Sequence, residues 1–420
     1  MKIAIIGSGI SGLSFANLVK DKHEIVLFER SDRSGGLIKC DRVQNVLFHR
    51  VGGHVFNAKN KEILDWFWSH FDKENEFVTT RRNARVWFNN QIIGYPIENS
   101  IYNLDADTVK KIISELLELA KKEKKNPLSY DNFEHFLKGS FGDTLYEIYF
   151  EPYNKKIWRT DLSTVSMEWL EGKLPMPNFI EIITSNVLRL EEEGMVHASF
   201  FYPRVNGSQF IADRLSAGLK INYGQEITSI LLKNDTIEVG GQSFDNLVYC
   251  GDIRRLPCEL KYYLRKHDVD VDYLEGLRSN GTSNLLCETD DNDLSWLYIP
   301  QPFTMAHRII YTGNFSETNN KLGGRKTCVV EFSGHVPRAV MEEEIKKLPG
   351  HLKGIASNYE PNSYVIQDKR TRNEISKAKI VLKAKGIYLL GRFAEWEYYN
   401  MDKAIEAAFA LSKNYMSCEN

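Results

Sequence analysis

The chain opens with four apolar residues in a row, Ile3 to Ile6, which stop at Gly7. A run of that length ended by glycine predicts a core strand, and a second run from Glu24 to Phe28 predicts another, with one helix between them. A helical pattern near Lys61 to Phe71 leads into two short strands, Ala84 to Phe88 and Gln91 to Gly94, turned at Asn89 and Asn90. Past Pro96 the texture changes. Val109, Ile112, Ile113, Leu116, Leu117 and Leu119 recur at the spacing of one helix face, and helical patterning continues through Tyr130 to Phe150 and Val165 to Leu190. The stretch Tyr202 to Ser216 predicts a strand-like entry, a turn and an amphipathic helix; strand character then returns at Ile221 to Leu232 and at Leu247 to Cys250. The runs LSWLYIP, HRIIYTG and KTCVVEFS, set between polar turns, predict an antiparallel sheet that forms one wall of a cleft. The last element reads as a buried strand in GIYLL, a loop, and a helix starting near Asn400 to Asp402.

The first joint carries chemistry. Gly7, Gly9 and Gly12 stand between a strand and a helix at the spacing GxGxxG, with Ser11 in the same turn. Gly7 permits the tight turn, Gly9 lets backbone approach a pyrophosphate with room for nothing larger, and Gly12 lets the helix lie close on its strand. The positive end of that helix then faces the phosphates. Glu29 closes the second strand, where an acid accepts ribose hydroxyls and disfavours a ribose 2′-phosphate. The expected fold class is therefore α/β: a Rossmann-like dinucleotide-binding domain with a helical insertion and an antiparallel-sheet substrate domain. Residues 1–98, 197–275 and 361–420 are assigned to the nucleotide-binding part, 99–196 to the helical insertion and 276–360 to the sheet.

Composition narrows the class. At 420 residues and 42% hydrophobic, the chain has enough apolar mass for two or three ordered domains. A formal charge of -2 gives no footprint for nucleic acid, and the KKEKK run beginning at Lys121 reads as the solvated end of a helix. Six cysteines without CxxC or regular spacing predict reduced thiols, with neither a disulfide frame nor a metal site. No apolar run reaches the ~18 residues of a membrane span, and a core strand at the N-terminus leaves no place for a signal peptide, so a cytoplasmic protein is expected.

Glu29 is followed by Arg30 and then by Gly35 and Gly36 in ERSDRSGG. This arrangement resembles the glutamate plus double-glycine signature of FAD proteins of the amine oxidase and protoporphyrinogen oxidase type, and it implies FAD as the cofactor. Four further motifs occur in one order: GGHV at Gly52 to Val55, EPYNKKIW at Glu151 to Trp158, WLYIP at Trp296 to Pro300, and GRFAEWEYYNMD at Gly391 to Asp402. Together they resemble the UDP-galactopyranose mutases, several of them closer to the eukaryotic-type enzymes, over nearly the whole chain. The resemblance implies a flavin-carrying isomerase of polysaccharide biosynthesis that interconverts the pyranose and furanose forms of a nucleotide sugar. Reduced FAD would act covalently, N5 bonding to the anomeric carbon as UDP leaves, with NAD(P)H open as the reductant and a homo-oligomer left open.

The same resemblance implies residue roles. Gly53 and His54 would lie against the flavin. Gly391, Arg392, Met401 and Asp402 would contact it near the chain end, where the last helix aims its amides at the pyrimidine ring, and Ile227 would sit beside adenine. Arg308, eight residues after Pro300, would grip the diphosphate, for which a guanidinium fork is suited. The second such cation falls on Lys173 in WLEGK, where relatives carry arginine; a lysine keeps the charge and loses the fork. Asn154, Trp158, Tyr298, Tyr364 and Tyr398 match substrate positions, although the proline-rich stretch after Tyr364 is replaced by VIQDKR and His197 stands where the pattern has asparagine. Two other readings stay open: an FAD-dependent oxidoreductase, which needs an apolar or aromatic pocket, and a flavin-binding module without catalysis.

Overall fold

The computed structural model describes residues 1–122, 126–167, 178–190 and 199–416. Lys2–Ile6 and Glu24–Glu29 pair in parallel at the heart of a five-stranded sheet, flanked by Asn246–Tyr249 and Ile387–Leu389 on one side and Ile221–Tyr223 on the other. A parallel sheet needs cover on both faces, which is why Ile3, Ala4 and Ile5 follow one another without alternation and are all fully buried. The helices Ile10–Val19, Gly207–Ser216 and Met401–Met416 cover one face, where Phe15 meets Tyr415 edge-on at 5.3 Å.

A second sheet of seven strands runs in the order Lys353–Val365, Ser279–Thr289, Lys326–Ser333, Ala306–Ile310, Trp296–Tyr298, Ala84–Phe88, Gln91–Gly94. It is antiparallel except where Trp296–Tyr298 lies parallel to Ala84–Phe88. The expected boundary at residue 98 is thus corrected, because residues 84–94 belong to this sheet and no local pattern says which sheet a short hairpin joins. The boundary at 360 also moves, the edge strand continuing to Val365.

The helical insertion consists of Ala106–Ala120, Phe133–Phe141, a wider-pitched turn at Tyr146–Phe150 running into Glu151–Trp158, and Phe179–Leu188 among the described residues. Asp105, Asn132 and Asn178 cap three of these helices by accepting from the first-turn amides. Their apolar faces, with Ile112, Leu116, Phe136 and Leu145, bury against Val86, Phe88 and Tyr364 of the seven-stranded sheet. The last turn of Glu151–Trp158 is tied down by sheet side chains: Ser333 Oγ donates to the Ile157 carbonyl at 2.7 Å and Asn280 Nδ2 at 3.0 Å. These bonds satisfy a carbonyl that the helix end itself leaves open.

Candidate functional site

One cavity of about 880 Å³ runs between the two sheets. Its inner half is made of backbone. The glycine turn at Gly7–Gly12 and the second turn at Gly35–Gly36 lie side by side, with the Gly35 amide donating to the Ser8 carbonyl at 3.0 Å and Gly9 bridged to Gly35. A Cβ on Gly12 would sit 2.2 Å from the Gly7 carbonyl oxygen, so only glycine lets the helix approach its strand. At Gly9 the protein's own packing does not demand a glycine. A Cβ there meets nothing of the protein nearer than Gly36 Cα at 3.9 Å, so the space it would fill is cavity, a cradle that a ligand's phosphates can occupy.

The helix that starts behind Gly9 has no side-chain cap, in contrast to the helices after Asn60, Asp105, Asn132 and Asn178. Its first amides are therefore donors turned to the cavity, the arrangement that favours an anion. The helix Met401–Met416 brings a second N-terminus to the same space, with Met401, Asp402 and Ala404 in the lining. Glu29 accepts from Ser8 N and Ser8 Oγ at 2.9 Å each and from Ser31 N at 2.9 Å. Burial alone would raise its pKa, but these bonds and the Lys39 charge hold it below the ordinary value, so it is an oriented carboxylate. Ser11, Arg30, Gly53, Ile227, Gly391 and Arg392 also line this space.

The outer half is made of side chains. Arg308 donates from Nε to Glu331 Oε2 at 2.8 Å, its Nη2 lies 2.6 Å from the same oxygen, and Nη2 also donates to Tyr364 OH at 3.1 Å. Tyr364 donates in turn to Glu331 Oε1 at 3.1 Å. Glu331 is fully buried, which would raise its pKa, yet the Arg308 guanidinium and His307 hold it far below the usual carboxylate range. A bulge on Ala306–Ile310 places both His307 and Arg308 opposite Glu331, which a regular strand would not do, since neighbours on a strand face opposite ways. The charge of Arg308 is therefore matched by Glu331, and among the described residues only its Nη1 remains without a partner.

Around this pair stands a wall of aromatic rings and guanidinium groups. Tyr364 and Tyr398 stack at 5.7 Å and 5°, and Arg392 lies over Tyr398 at 4.6 Å. Tyr95 and Tyr298 stack at 4.7 Å, and Arg82 lies over Tyr95 at 5.0 Å while donating to Tyr298 OH at 2.9 Å. Arg82 and Tyr95 had no motif to mark them; the parallel pairing of Ala84 with Trp296 is what carries Arg82 to this wall. His54 lines the cavity between the halves, and burial, with Arg392 next, pushes its pKa down to about 4. Its Nε2 is buried and without a partner among the described residues, an orphaned polar atom beside an open volume.

Two expected substrate residues are placed elsewhere. Asn154 donates to the Phe150 carbonyl at 2.8 Å and accepts from Trp158 Nε1 at 3.2 Å, so its amide serves its own helix, and neither residue is in the cavity lining. Trp158 is buried in the helical core and touches Tyr364 edge-on at 5.8 Å, backing the site without facing it. Helix periodicity puts Asn154 and Trp158 on one face but does not say what that face meets. Lys173 and His197 lie outside the described residues.

The fold and cavity are those of a protein with a Rossmann-type dinucleotide-binding domain and a second sheet across the cavity from it. The model of the NAD(P)-binding Rossmann-like domain matches residues 5–71. Over 99% of its length the chain is 22% identical to UDP-galactopyranose mutase of Mycoplasma genitalium, covering 95% of that protein. It is 23% identical to coproporphyrinogen III oxidase of Staphylococcus aureus over 72% of this chain and 71% of that one. The crystal structure of a reduced UDP-galactopyranose mutase superposes with a TM-score of 0.86 at 21% identity, covering 100% of this chain and 94% of that one. The chain has the UDP-galactopyranose mutase fold.

Proposed function

We propose that the chain is an FAD-dependent nucleotide-sugar mutase that interconverts the pyranose and furanose forms of a UDP-galactose-like substrate. One observation carries this reading: a single cavity joins a phosphate cradle of glycine turns and helix N-termini to a wall of arginines and tyrosines. A purely apolar substrate would have no use for Arg82, Arg308 and Arg392 in one lining, whereas a sugar diphosphate needs cations and hydroxyl donors in a partly dry site.

The cradle, Glu29, the amides behind Gly9 and those at Met401 would hold the dinucleotide of FAD. When bound and reduced, the flavin would supply a nucleophilic nitrogen to the anomeric carbon. The residues of the chain do the rest. Arg308, kept rigid by Glu331, offers Nη1 to a phosphate oxygen, and Arg82 and Arg392 add charge that Glu331 does not cancel. Tyr298 and Tyr398 orient the diphosphate through their hydroxyls, while Tyr364, whose proton goes to Glu331, steadies the Arg308 guanidinium. His54 stays neutral at physiological pH, so its Nε2 can accept or donate a hydrogen bond beside the flavin without placing a charge there. Lys173 remains the proposed second diphosphate ligand, as a point charge. A cytoplasmic location is part of the same reading; no helix among the described residues is long and apolar enough to cross a membrane.

The decisive experiment incubates flavin-loaded, dithionite-reduced protein with UDP-galactofuranose and separates the sugars by chromatography. Conversion to UDP-galactopyranose is the expected result. Oxygen uptake with a porphyrinogen or amine, and no sugar conversion, would overturn it in favour of an oxidase.

A further inference from the structure

The Lys156 ammonium, on the helix Glu151–Trp158, donates to three backbone carbonyls: Ile299 at 3.0 Å, Ala306 at 3.1 Å, and Gln301. An ammonium has three N–H donors, and here all of them are spent on main chain. No carboxylate lies within ion-pair distance of it among the described residues. The lysine is half-buried, and loss of water pushes its pKa down to about 7, against the pull of the Glu344 charge. A long, flexible cation sunk between two elements and turned to peptide oxygens is a costly choice for mere surface solubility.

The position of those carbonyls gives the cost a purpose. Tyr298 and Arg308 are directly paired on neighbouring antiparallel strands, and both side chains reach the cavity. Beyond them the Ile299 amide donates to the His307 carbonyl at 2.9 Å, and the chain then leaves the sheet as a loop to Ala306. Lys156 bonds the outgoing side of that loop at Ile299 and Gln301 and its returning side at Ala306. It therefore closes the neck of the loop one step past the Tyr298–Arg308 pair, and it ties that neck to the insertion helix, whose same last turn is held by Ser333 and Asn280. Other bonds hold the loop further out, from Asn89 N to Gln301, from Met305 N to Glu344 and from Lys347 to the Phe303 carbonyl, but they do not join its two sides at the neck beside the bulge that turns Arg308 towards Glu331, as Lys156 does.

We propose that Lys156 is a positioning residue of the anion site: a clasp that fixes Arg308 and Tyr298 by drawing together the neck of the loop between their strands. The proposal deepens the mutase reading and rests on it for the identity of the anion. Its test uses the flavin-loaded full chain, with UDP as the probe. Lys156→Met keeps the length of the side chain and removes all three donors; flavin content should be unchanged, while the dissociation constant for UDP should rise roughly tenfold. Lys156→Gln, with two donors on a shorter stem, should give an intermediate loss.

A double-mutant cycle separates positioning from general loosening. In the Arg308→Lys background, where the fork to be positioned is gone, Lys156→Met should change UDP affinity by less than about twofold. Multiplying losses would overturn the proposal, as would UDP binding by Lys156→Met equal to that of the wild type. If the wild type binds no UDP, the functional reading fails instead. Amide exchange then still reads the clasp: residues 301–306 must exchange faster in Lys156→Met, and unchanged protection would refute it.

Discussion

The two halves of the cavity are built by opposite means. The inner half is lined by backbone: glycine turns, helix N-termini and one carboxylate, all but the last helix taken from a stretch of about 36 residues. The outer half is lined by side chains gathered from distant segments: Arg82, Tyr298 and Arg308, Glu331, Tyr364, and Arg392 with Tyr398. A backbone site can be exact in a short sequence because glycine spacing fixes where donors point. A side-chain site needs a sheet to bring its members together, and it must neutralise its own charges before a ligand arrives.

The largest effect that would sharpen this contrast concerns the glycines. Gly9→Val should leave a folded but colourless protein, because its Cβ enters the cradle and comes no nearer to protein than ordinary contact with Gly36 Cα, 3.9 Å away. Gly12→Val should lose flavin and fold together, since its Cβ would collide with the Gly7 carbonyl. Bound flavin absorbance and a melting curve read the two separately, and equal melting temperatures for both variants would break the distinction.

Next comes the buried pair. Arg308→Ala leaves Glu331 buried without its cation and should cost about 3–5 kcal/mol of stability as well as abolish turnover. Adding Glu331→Gln should return most of the stability and none of the activity. The pair also has a pH signature. Native Glu331 titrates far below an unfolded glutamate, near 4.3, so its contribution is present above that pH and drains away as the solution is acidified through and below it. Urea melts from pH 6 to pH 3 should therefore show a flatter loss in the double variant than in the wild type.

A smaller effect falls on His54, pushed down to about 4 from an unfolded value near 6.5. The unfolded chain takes up this proton first, so stability is complete above about pH 6.5 and declines towards pH 4. His54→Gln should reduce that decline while retaining flavin. Smallest is Tyr298→Phe, which removes one hydroxyl from Arg82; a rise in KM of roughly tenfold or less, with normal flavin content, is expected.

The comparison also explains what could be read in advance. The strands Lys2–Ile6 and Glu24–Glu29, the hairpin Ala84–Gly94 and the last helix lie where apolar period and glycine put them, because each is set by residues within a few positions of one another. Every candidate nucleotide residue from Gly7 to Gly36, together with Gly53, His54, Ile227 and the Gly391–Asp402 positions, lines the cavity for that reason or through a recognisable short motif. Asn154 and Trp158 were expected at the substrate and lie outside the cavity lining, on a helix between the predicted helical segments, since a helix face has no address until something is laid against it.

By itself, then, the sequence determined the strand-turn-helix cradle, the carboxylate after it and the alternation of sheet and helix, all consequences of local sterics and of hydrophobic period. Tertiary structure alone decided that Arg82 would meet Tyr298, that a bulge would turn both His307 and Arg308 to Glu331, and that Lys156 would close a loop in another domain. These depend on which strands pair and in what register, and register is chosen by the burial of whole faces, a property no single stretch of chain contains.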